Sequence, residues 1–354
     1  MSGGEERLRA AGIALGFDPE GGLVTGLTVT DEGQEIAPLH RAPWVGSGEP
    51  LPEGTPPHLA KLQGDFFCAP FAQSEGDSPM HGWPANGHWE VVLRRDGTLR
   101  AVLAHPVQGA TLLKELAVED GHPFLYQRHV FVGGEGHVTV ANHANVSLLR
   151  GGLIRTSPKA LWETPRTAQE SDPARGRSAL RYPAQAEDPR AFPGLDGPVD
   201  LTRYPWGPRH EDFVAGLEAR GHRLGWTAVT RPEEGDLYLS LRDARALPMT
   251  MLWHSNGGRD YPPWSGRHHG CLGVEEGAAG HMLGLSSEAD LAGPGALALA
   301  PDGVAEVRHV IGAIRWPSGE PVAKVVEDGD AIEVRGENGA RRRVPFRTGF
   351  LGQT

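Results

Sequence analysis

The chain has 354 residues, including 49 glycines and 30 prolines, and its formal net charge is -11 at pH 7. This acidic balance argues against a nucleic-acid-binding surface, because neutralising phosphates requires a basic face. The glycines and prolines follow no collagen-like period and accompany 39% hydrophobic residues, which favours many strands and turns over disorder. We therefore predict an all-β protein with few short helices, built as one large domain or as two.

The first residues, MSGGEERLRAAGIALGF, carry acidic side chains where a signal peptide carries positive charge. No run of about 18 apolar residues occurs, so we predict no membrane partner. The two cysteines, Cys68 and Cys271, form no CxxC spacing, which argues against a disulfide framework and a zinc ribbon. These features predict a cytoplasmic protein in a reducing compartment.

Residues 66–91, FFCAPFAQSEGDSPMHGWPANGHWEV, place His81 next to Gly82 and two tryptophans, Trp83 and Trp89, shortly after. Glycine allows the backbone to approach a ligand closely, so His81 is either a ligand-contacting residue or a structural one. Tryptophan faces stack on the C–H patches of sugar rings, but they more often fill cores. Both uses stay open for these side chains.

Two stretches of alternating hydrophobicity predict β-hairpins. GHWEVVLRRDGTLRAVLAH turns at Asp96-Gly97, a pair that suits a tight turn because both residues reach positive φ. PFLYQRHVFVGGEGHVTVANHANVSL repeats this form around residues 133–136. No segment carries a long apolar period of 3.6 residues, which predicts that helices are short.

Residues 137–147 predict a strand with one apolar and one polar face. The first face would carry Val138, Val140, Asn142, Ala144 and Val146. The second would carry His137, Thr139, Ala141, His143, Asn145 and Ser147. A polar face is ordinary on a solvent-facing strand, but on a concave sheet it also suits a polyhydroxylated ligand, and His143 is its candidate catalytic group.

Residues 164–208 are rich in proline, alanine and charge, and they predict either a long ordered loop or a linker. Because such a long connection is unusual without a function, we expect the loop to cover one side of a cleft in a single β domain. Glu211 and Asp212 follow it. An acidic pair at a loop exit is usually a solvated turn or a cap, and Asp212 alone is retained as a sugar-binding candidate.

Residues 267–277, RHHGCLGVEEG, would place Cys271, Gly273 and Glu275 on one face of a strand. The two small residues leave room for a ligand in front of Glu275. Glu276 would lie on the apolar face and form an ion pair with a neighbour such as Arg267.

The adjacent His268 and His269 would point to opposite faces of any strand, and that spacing argues against a chelating pair. We therefore expect no metal here. One of the two imidazoles could contact a substrate, but not both.

These segments, in this order, resemble the galactose mutarotase-like superfamily of aldose 1-epimerases and hexose-6-phosphate relatives. NHANVSL resembles the family strand with the catalytic histidine, here His143. FFCAPF and HGWPANGHWEV resemble the segment with the second active-site histidine, here His81. CLGVEEG resembles the strand with the catalytic glutamate, here Glu275. The matched elements span residues 64–277, and the resemblance implies a single large antiparallel β-sandwich over residues 1–354.

The chain departs from the family pattern where Asn86 occupies the position of an arginine that helps hold the sugar or its phosphate. This departure and the acidic net charge predict a non-phosphorylated sugar, unless Arg259 or Arg267 replaces that arginine. The predicted substrate contacts are Trp83, Asn86, Asp212, Arg259, Arg267 and His269.

The resemblance implies an aldose 1-epimerase that interconverts sugar anomers without cofactor or metal, with Glu275 as base, His143 as acid and His81 near the ring oxygen. A sugar-binding protein without catalysis is the first alternative, since fold does not fix function. A glycan lyase or hydrolase is the second, and it needs a carboxylate opposite Glu275 at roughly 5 to 9.5 Å. The expected partner is a small carbohydrate, and a homodimer is one option for assembly.

Overall fold

The computed structural model describes residues 4–74, 76–286 and 295–352. Within these ranges the helices are short: α1 is Pro57–Ala60, and 3-10 turns cover Trp83–Ala85, Pro189–Ala191 and Gly280–Met282. The strands are β1 Glu6–Ala10, β2 Ile13–Asp18, β3 Leu23–Asp31, β4 Gln34–Ile36, β5 Asp65–Cys68, β6 Trp89–Arg95, β7 Thr98–Leu103, β8 Ala110–Ala117, β9 Phe124–Gly133, β10 Gly136–Val138, β11 Val140–Ser147, β12 Gly152–Thr156, β13 Lys159–Glu163, β14 Gln185–Ala186, β15 Phe192–Pro193, β16 Pro198–Val199, β17 Arg203–Tyr204, β18 His210–Glu218, β19 Leu224–Arg231, β20 Asp236–Asp243, β21 Met249–Asn256, β22 Cys271–Ala278, β23 Leu297–Leu299, β24 Val304–Arg315, β25 Val322–Asp328, β26 Ala331–Gly336 and β27 Arg341–Pro345. The all-β prediction is confirmed.

Two large antiparallel sheets form the body of the molecule. Sheet I has the order β1-β2-β3-β5-β11-β22-β21-β18-β13-β14, with β4 attached to β3, and sheet II has the order β17-β12-β19-β20-β24-β9-β8-β7-β6. Sheet III, with the order β25-β26-β27, is separate. Strands β11 and β22 therefore pair at the centre of sheet I.

The main core lies between sheets I and II, and period-two alternation decides which side chains enter it. Val140 and Ala144 of β11 and Leu272 and Val274 of β22 pack there against residues of sheet II such as Ile311. Full burial of an aliphatic side chain of this size contributes roughly 1.5–3 kcal/mol. The faces predicted for β11 and β22 are confirmed, and His143 and Glu275 are left on the opposite face of sheet I.

The remaining outer face of sheet II is also covered. Phe124 and Ile314 on that face pack with Ile332, Val334 and Phe346 from the C-terminal region around sheet III. Apolar side chains on both faces of sheet II are thus removed from water, and the small third sheet gains the core that an isolated three-stranded sheet needs. No helix in the described part of the chain is long and apolar enough to cross a membrane.

The two predicted hairpins had different outcomes. Strands β6 and β7 form a hairpin around Asp96 and Gly97, whose φ angles are 45° and 71°. The prediction around residues 133–136 was wrong, because β9 pairs within sheet II while β11 pairs within sheet I. Alternating hydrophobicity is the same for a hairpin and for a chain that crosses between two packed sheets, so the pattern alone could not separate them.

Residues 164–208 form an ordered connection that packs largely in the main core, where Leu180, Phe192 and Tyr204 lie, and its strand β17 pairs with β12 of sheet II. The strands before and after it, β13 and β18, pair with each other, and the connection adds β14 to the sheet edge. Gly176 within it bridges to Arg259. Its first residues, among them Pro165 and Thr167, reach the side of sheet I that faces away from the main core, which loops with Trp44 and Trp264 also cover.

Candidate active site

A cavity of about 590 Å³ opens on the outer face of sheet I, a volume typical of small-molecule sites. The buried side chains of His143 and Glu275 line it from the sheet. Other residues that line it include His58, Phe66, His81, Phe213, Trp253, Arg259, Tyr261, Trp264 and Met282. The three residues predicted to be catalytic, His81, His143 and Glu275, therefore meet at one cavity.

His143 and Glu275 form a close pair because β11 and β22 are adjacent and these residues are direct register partners. His143 Nε2 lies 3.2 Å from Glu275 Oε1. The remaining atoms, His143 Nδ1 and Glu275 Oε2, are buried and have no hydrogen-bond partner among the described residues. Buried polar atoms without partners are costly, and their presence means that the protein does not fully satisfy this pair.

Burial acts on the pKa values of these two side chains in opposite directions, because it disfavours the charged form of each. It raises the pKa of Glu275 well above the ordinary value. Burial, together with the nearby His58, lowers the pKa of His143 to about 3. These opposite shifts favour a protonated carboxyl group beside an uncharged imidazole over an ion pair, so the two groups in contact have one acidic proton to share between them.

Gly273 keeps space open in front of Glu275. A Cβ atom at this position would lie 2.7 Å from Glu275 Oε1 and 2.9 Å from Trp253 Cβ, both closer than side chains tolerate. The room that the sequence predicted beside Glu275 thus comes chiefly from this glycine.

His81 is held in a backbone conformation that side chains rarely adopt, with φ of 68°. Such residues recur at ligand sites, where surrounding contacts maintain the strain. Gly82, with φ of 73°, follows, and a Cβ atom there would lie 1.9 Å from the carbonyl oxygen of Ala69. The close passage of these two chain segments directs the His81 ring toward His143, with 5.6 Å between ring centroids.

Asn86 lies behind this turn. Its Nδ2 donates hydrogen bonds to the carbonyl oxygens of Met80 and Gly82, at 2.9 and 2.8 Å. Its Oδ1 accepts from the backbone N–H of His58 and lies 2.9 Å from His58 Nδ1. Asn86 does not line the cavity, so the structure places it as a support for two histidines and not in contact with a ligand there.

His58 was missed by the sequence analysis. It lies on α1 and its ring is 4.9 Å from that of His81, so three imidazoles follow one another along the cavity. Burial lowers its pKa, while the hydrogen bond with Asn86 raises it. His58 lies in the segment PPHLA, which is not flanked by residues at the spacing of a known motif. The only signal in the sequence was a histidine directly after two prolines that can begin a helix.

Aromatic rings form the walls beside the catalytic pair. Phe66 stacks on His143 with 4.4 Å between centroids, and Trp253 meets His143 edge-on at 5.9 Å. The Nε1–H of Trp253 donates to Glu211, which leaves the indole face free to line the cavity. Apolar ring faces next to polar atoms are the chemistry that sugar sites use.

Arg259 is the predicted substrate contact that does line the cavity. Its guanidinium lies 4.4 Å over the ring of Trp264 and 3.2 Å from Glu211. The Glu211 carboxylate is itself buried and its pKa is raised by burial, although Arg259 opposes this shift. The charge of Arg259 is therefore compensated by a neighbour within the protein.

Three other predicted contacts lie outside the cavity lining. Trp83 stacks on His105 at 4.1 Å, Arg267 pairs with Glu49, and His269 is exposed. The partner suggested for Glu276 was also wrong, because Glu276 is buried against Arg242. These residues are close to the motifs in sequence, but strand alternation and turns direct their side chains away from the cavity.

Asp212 also lies outside the cavity, since it shares a strand face with the core residue Val214 and not with Phe213. It is fully buried and accepts hydrogen bonds from the N–H groups of Ala179 and Leu180, at 2.9 and 3.1 Å. Asp212 therefore anchors the connection of residues 164–208 to the sheet.

The connection contributes directly to the cavity, as the sequence led us to expect. Pro165, Thr167, Ala168 and Gln169 form part of the cavity lining.

On the described lining the acidic residues are Glu275 and the exposed Glu53, so no second buried carboxylate faces Glu275 there. The pair of carboxylates that glycoside hydrolysis requires is therefore not found in the described lining.

No protein-family model matches the chain, and no curated protein matches its sequence. Solved structures with the same architecture are nevertheless found. A protein of Escherichia coli K12, provisionally described as an aldose 1-epimerase, superimposes with a TM-score of 0.59 and 14% identity, covering 88% of this chain and 98% of its own.

Two further structures agree. The galactose mutarotase related enzyme of Lactobacillus acidophilus gives a TM-score of 0.53 at 11% identity, over 89% of this chain and 98% of its own. A galactose mutarotase-like protein of Lactobacillus casei gives 0.53 at 10% identity, over 88% and 100%. The predicted large antiparallel sandwich of this kind is confirmed, and at these identities the likeness establishes the fold alone.

Proposed function

We propose that this chain, which has the galactose mutarotase-like fold, is an aldose 1-epimerase-like isomerase acting on a non-phosphorylated sugar. The observation that carries the proposal is the pair of His143 and Glu275, 3.2 Å apart and buried at a cavity of about 590 Å³. Both side chains also have one buried polar atom without a partner among the described residues, so the protein does not saturate the pair.

The reaction needs two coordinated proton transfers. One group removes the proton from the C1 hydroxyl of the sugar, and another donates a proton to the ring oxygen, so that the C1–O bond to the ring breaks. Rotation about C1–C2 and closure on the other face give the second anomer. General acid–base catalysis of this kind contributes roughly 100- to 10,000-fold.

Glu275 would be the base and His143 the acid after the shared proton has passed from the carboxyl group to the imidazole across their 3.2 Å contact, because the pKa shifts favour the form in which Glu275 holds it. His81 would donate to, or accept from, the sugar near its ring oxygen. In ring closure the acid and the base of ring opening exchange their roles. The pair therefore needs one transferable proton at the start of each half-reaction. The opposite pKa shifts of Glu275 and His143 support this count, because they favour a pair that holds one proton over a wide pH range.

The cavity chemistry supports a neutral sugar. Phe66 and Trp253 offer ring faces for C–H patches of a pyranose. Arg259 is the single Lys or Arg on the described lining, and it already pairs with Glu211. A phosphate group would find no uncompensated cation on that lining. A cytoplasmic location and a homodimer stay predictions.

The test is anomer exchange measured by NMR in equilibrated glucose, galactose and less common aldoses. The native chain should accelerate exchange for at least one sugar, and Glu275→Gln should abolish the acceleration while retaining sugar binding. Glu53→Gln, which alters the exposed carboxylate at the same cavity, is the matched control and should keep full activity. Binding without acceleration by the native chain would instead support a sugar-binding protein without catalysis.

A further inference from the structure

A second cluster of reactive side chains lies behind the aromatic wall of the cavity. His40, His268 and Cys271 are all buried, with exposed fractions of 6%, 1% and 0%. One potential ligand atom from each residue lies within 4.8 Å of those of the other two. Two imidazoles and a thiol at this spacing need only small side-chain rotations to share one metal ion.

The imidazoles of this cluster have unused nitrogen atoms. His40 Nε2 and His268 Nε2 are buried and have no hydrogen-bond partner within the described residues. Leaving a buried polar atom without a partner costs on the order of 1–3 kcal/mol. Two such atoms beside a buried thiol are better explained by a missing ligand than by packing alone.

The surroundings of the cluster also match those of metal ligands. His268 Nδ1 lies 2.7 Å from Ser255 Oγ, which donates to Glu211 at 2.8 Å. Cys271 Sγ donates a weak hydrogen bond to Asn145 Oδ1 at 3.7 Å, which the thiol would give up on binding a metal as the thiolate. Metal-bound histidines typically use their second nitrogen in this way, which fixes the ring and leaves the other nitrogen for the metal.

We propose that His40, His268 and Cys271 bind one thiophilic metal ion, with Cu(I) preferred over Zn(II). A thiolate and two imidazoles are ligands suited to both metals, whereas Mg²⁺ and Ca²⁺ require oxygen ligands. The preference for Cu(I) over Zn(II) follows from the net charge of the metal ion together with its ligands. Cu⁺ and one thiolate form a neutral centre, while Zn²⁺ leaves one positive charge in a buried site, where an uncompensated charge is costly.

The fold explains why spacing alone did not reveal this site. His268 and His269 are unsuitable as a chelating pair, and His269 is indeed exposed. The second imidazole comes from His40, whose backbone N–H bonds to the carbonyl oxygen of Asn145 on the strand next to Cys271. The prediction that the chain holds no metal considered only neighbours in sequence.

The site is tested by titrating the purified, reduced chain with Cu(I) under anaerobic conditions, against a chromophoric Cu(I) chelator. We expect one tightly bound Cu(I) per chain. Cys271→Ala and His40→Gln should each lower the affinity by at least roughly 100-fold, which is the upper range for residues that only support metal ligands. The two variants alter different segments, so each remains informative if the other fails to fold.

Cys68→Ala and His269→Ala are the matched controls. Cys68 is the other buried free cysteine, and His269 is the sequence neighbour of a proposed ligand. Both variants should bind Cu(I) as the native chain does. Equal losses in Cys68→Ala and Cys271→Ala, or no Cu(I) retained against the chelator, would overturn the site. A parallel Zn(II) titration that gave the tighter complex would overturn the choice of metal.

Discussion

Two neighbouring glutamates on β22 differ in almost every physical respect. Glu275 faces the cavity, with one carboxylate oxygen lacking any partner in the described chain and the other 3.2 Å from His143. Glu276 faces the main core, where its oxygens accept from Thr227 at 2.6 Å and Thr250 at 2.8 Å. Arg242 adds an ion pair to Glu276 at 2.8 Å.

The difference teaches how the same residue type is assigned to structure or to chemistry. A buried carboxylate whose partners are complete is held in one state and stabilises the sheet pair. A buried carboxylate whose partners are incomplete has a raised pKa and can exchange a proton with a ligand. Substitutions at the two positions should therefore affect different measurements.

Glu275→Gln should have the largest effect on turnover. Removing the proton-exchanging group should lower kcat for anomer exchange by roughly 100- to 10,000-fold, the contribution of general acid–base catalysis. The free energy of unfolding should stay equal or rise, because the amide avoids the cost of protonating this carboxyl group on folding at neutral pH. NMR exchange rates and urea denaturation test both statements, and a variant that kept full turnover would refute the role of Glu275.

Glu276→Gln should show the reverse pattern. Replacing the carboxylate leaves Arg242 with less compensation, although Glu218 still pairs with it, so the free energy of unfolding should fall by roughly 2–4 kcal/mol. Turnover per folded molecule should change little. Urea denaturation at pH 7 measures the loss, and an unchanged midpoint would mean that this network contributes nothing net to stability.

Gly273→Ala should have a smaller effect, which reaches Glu275 indirectly. The added methyl group would lie within 3 Å of Glu275 Oε1 and Trp253 Cβ, so one of these side chains must move. A displacement of about 1 Å at a catalytic group can cost up to roughly 100-fold in turnover. Gly26→Ala on β3 of the same sheet is the control, since nothing lies within 4 Å of its added carbon.

Much of this site could be predicted from sequence because period-two alternation is a local property. The faces of β11 and β22 follow directly from the spacing of valine, leucine and small residues, and they place His143 and Glu275 on one side of the sheet. The same rule explains why Glu276 enters the core. These predictions needed no knowledge of which strands pair.

The remaining features depend on contacts between distant segments. His58 reaches the cavity because Asn86, 28 residues later, holds its backbone. His40 reaches Cys271 because its segment adds to the edge of β11. The wrong hairpin at residues 133–136 has the same origin, since only tertiary packing determines that β9 and β11 belong to different sheets.

Of the predicted effects, the change of activity with pH should be the smallest. An activity that stays constant with pH is itself informative. His143, with its pKa lowered to about 3, stays neutral as pH falls from 7 to 5, and Glu275, with its pKa raised, stays protonated. The pair then keeps its single proton, so kcat/KM should vary by no more than about twofold over this range and fall only toward pH 3. Anomer exchange, corrected with Glu275→Gln at each pH, measures this profile. A fall centred near pH 6.5 would mean that His143 titrates as an ordinary exposed histidine and that burial does not lower its pKa.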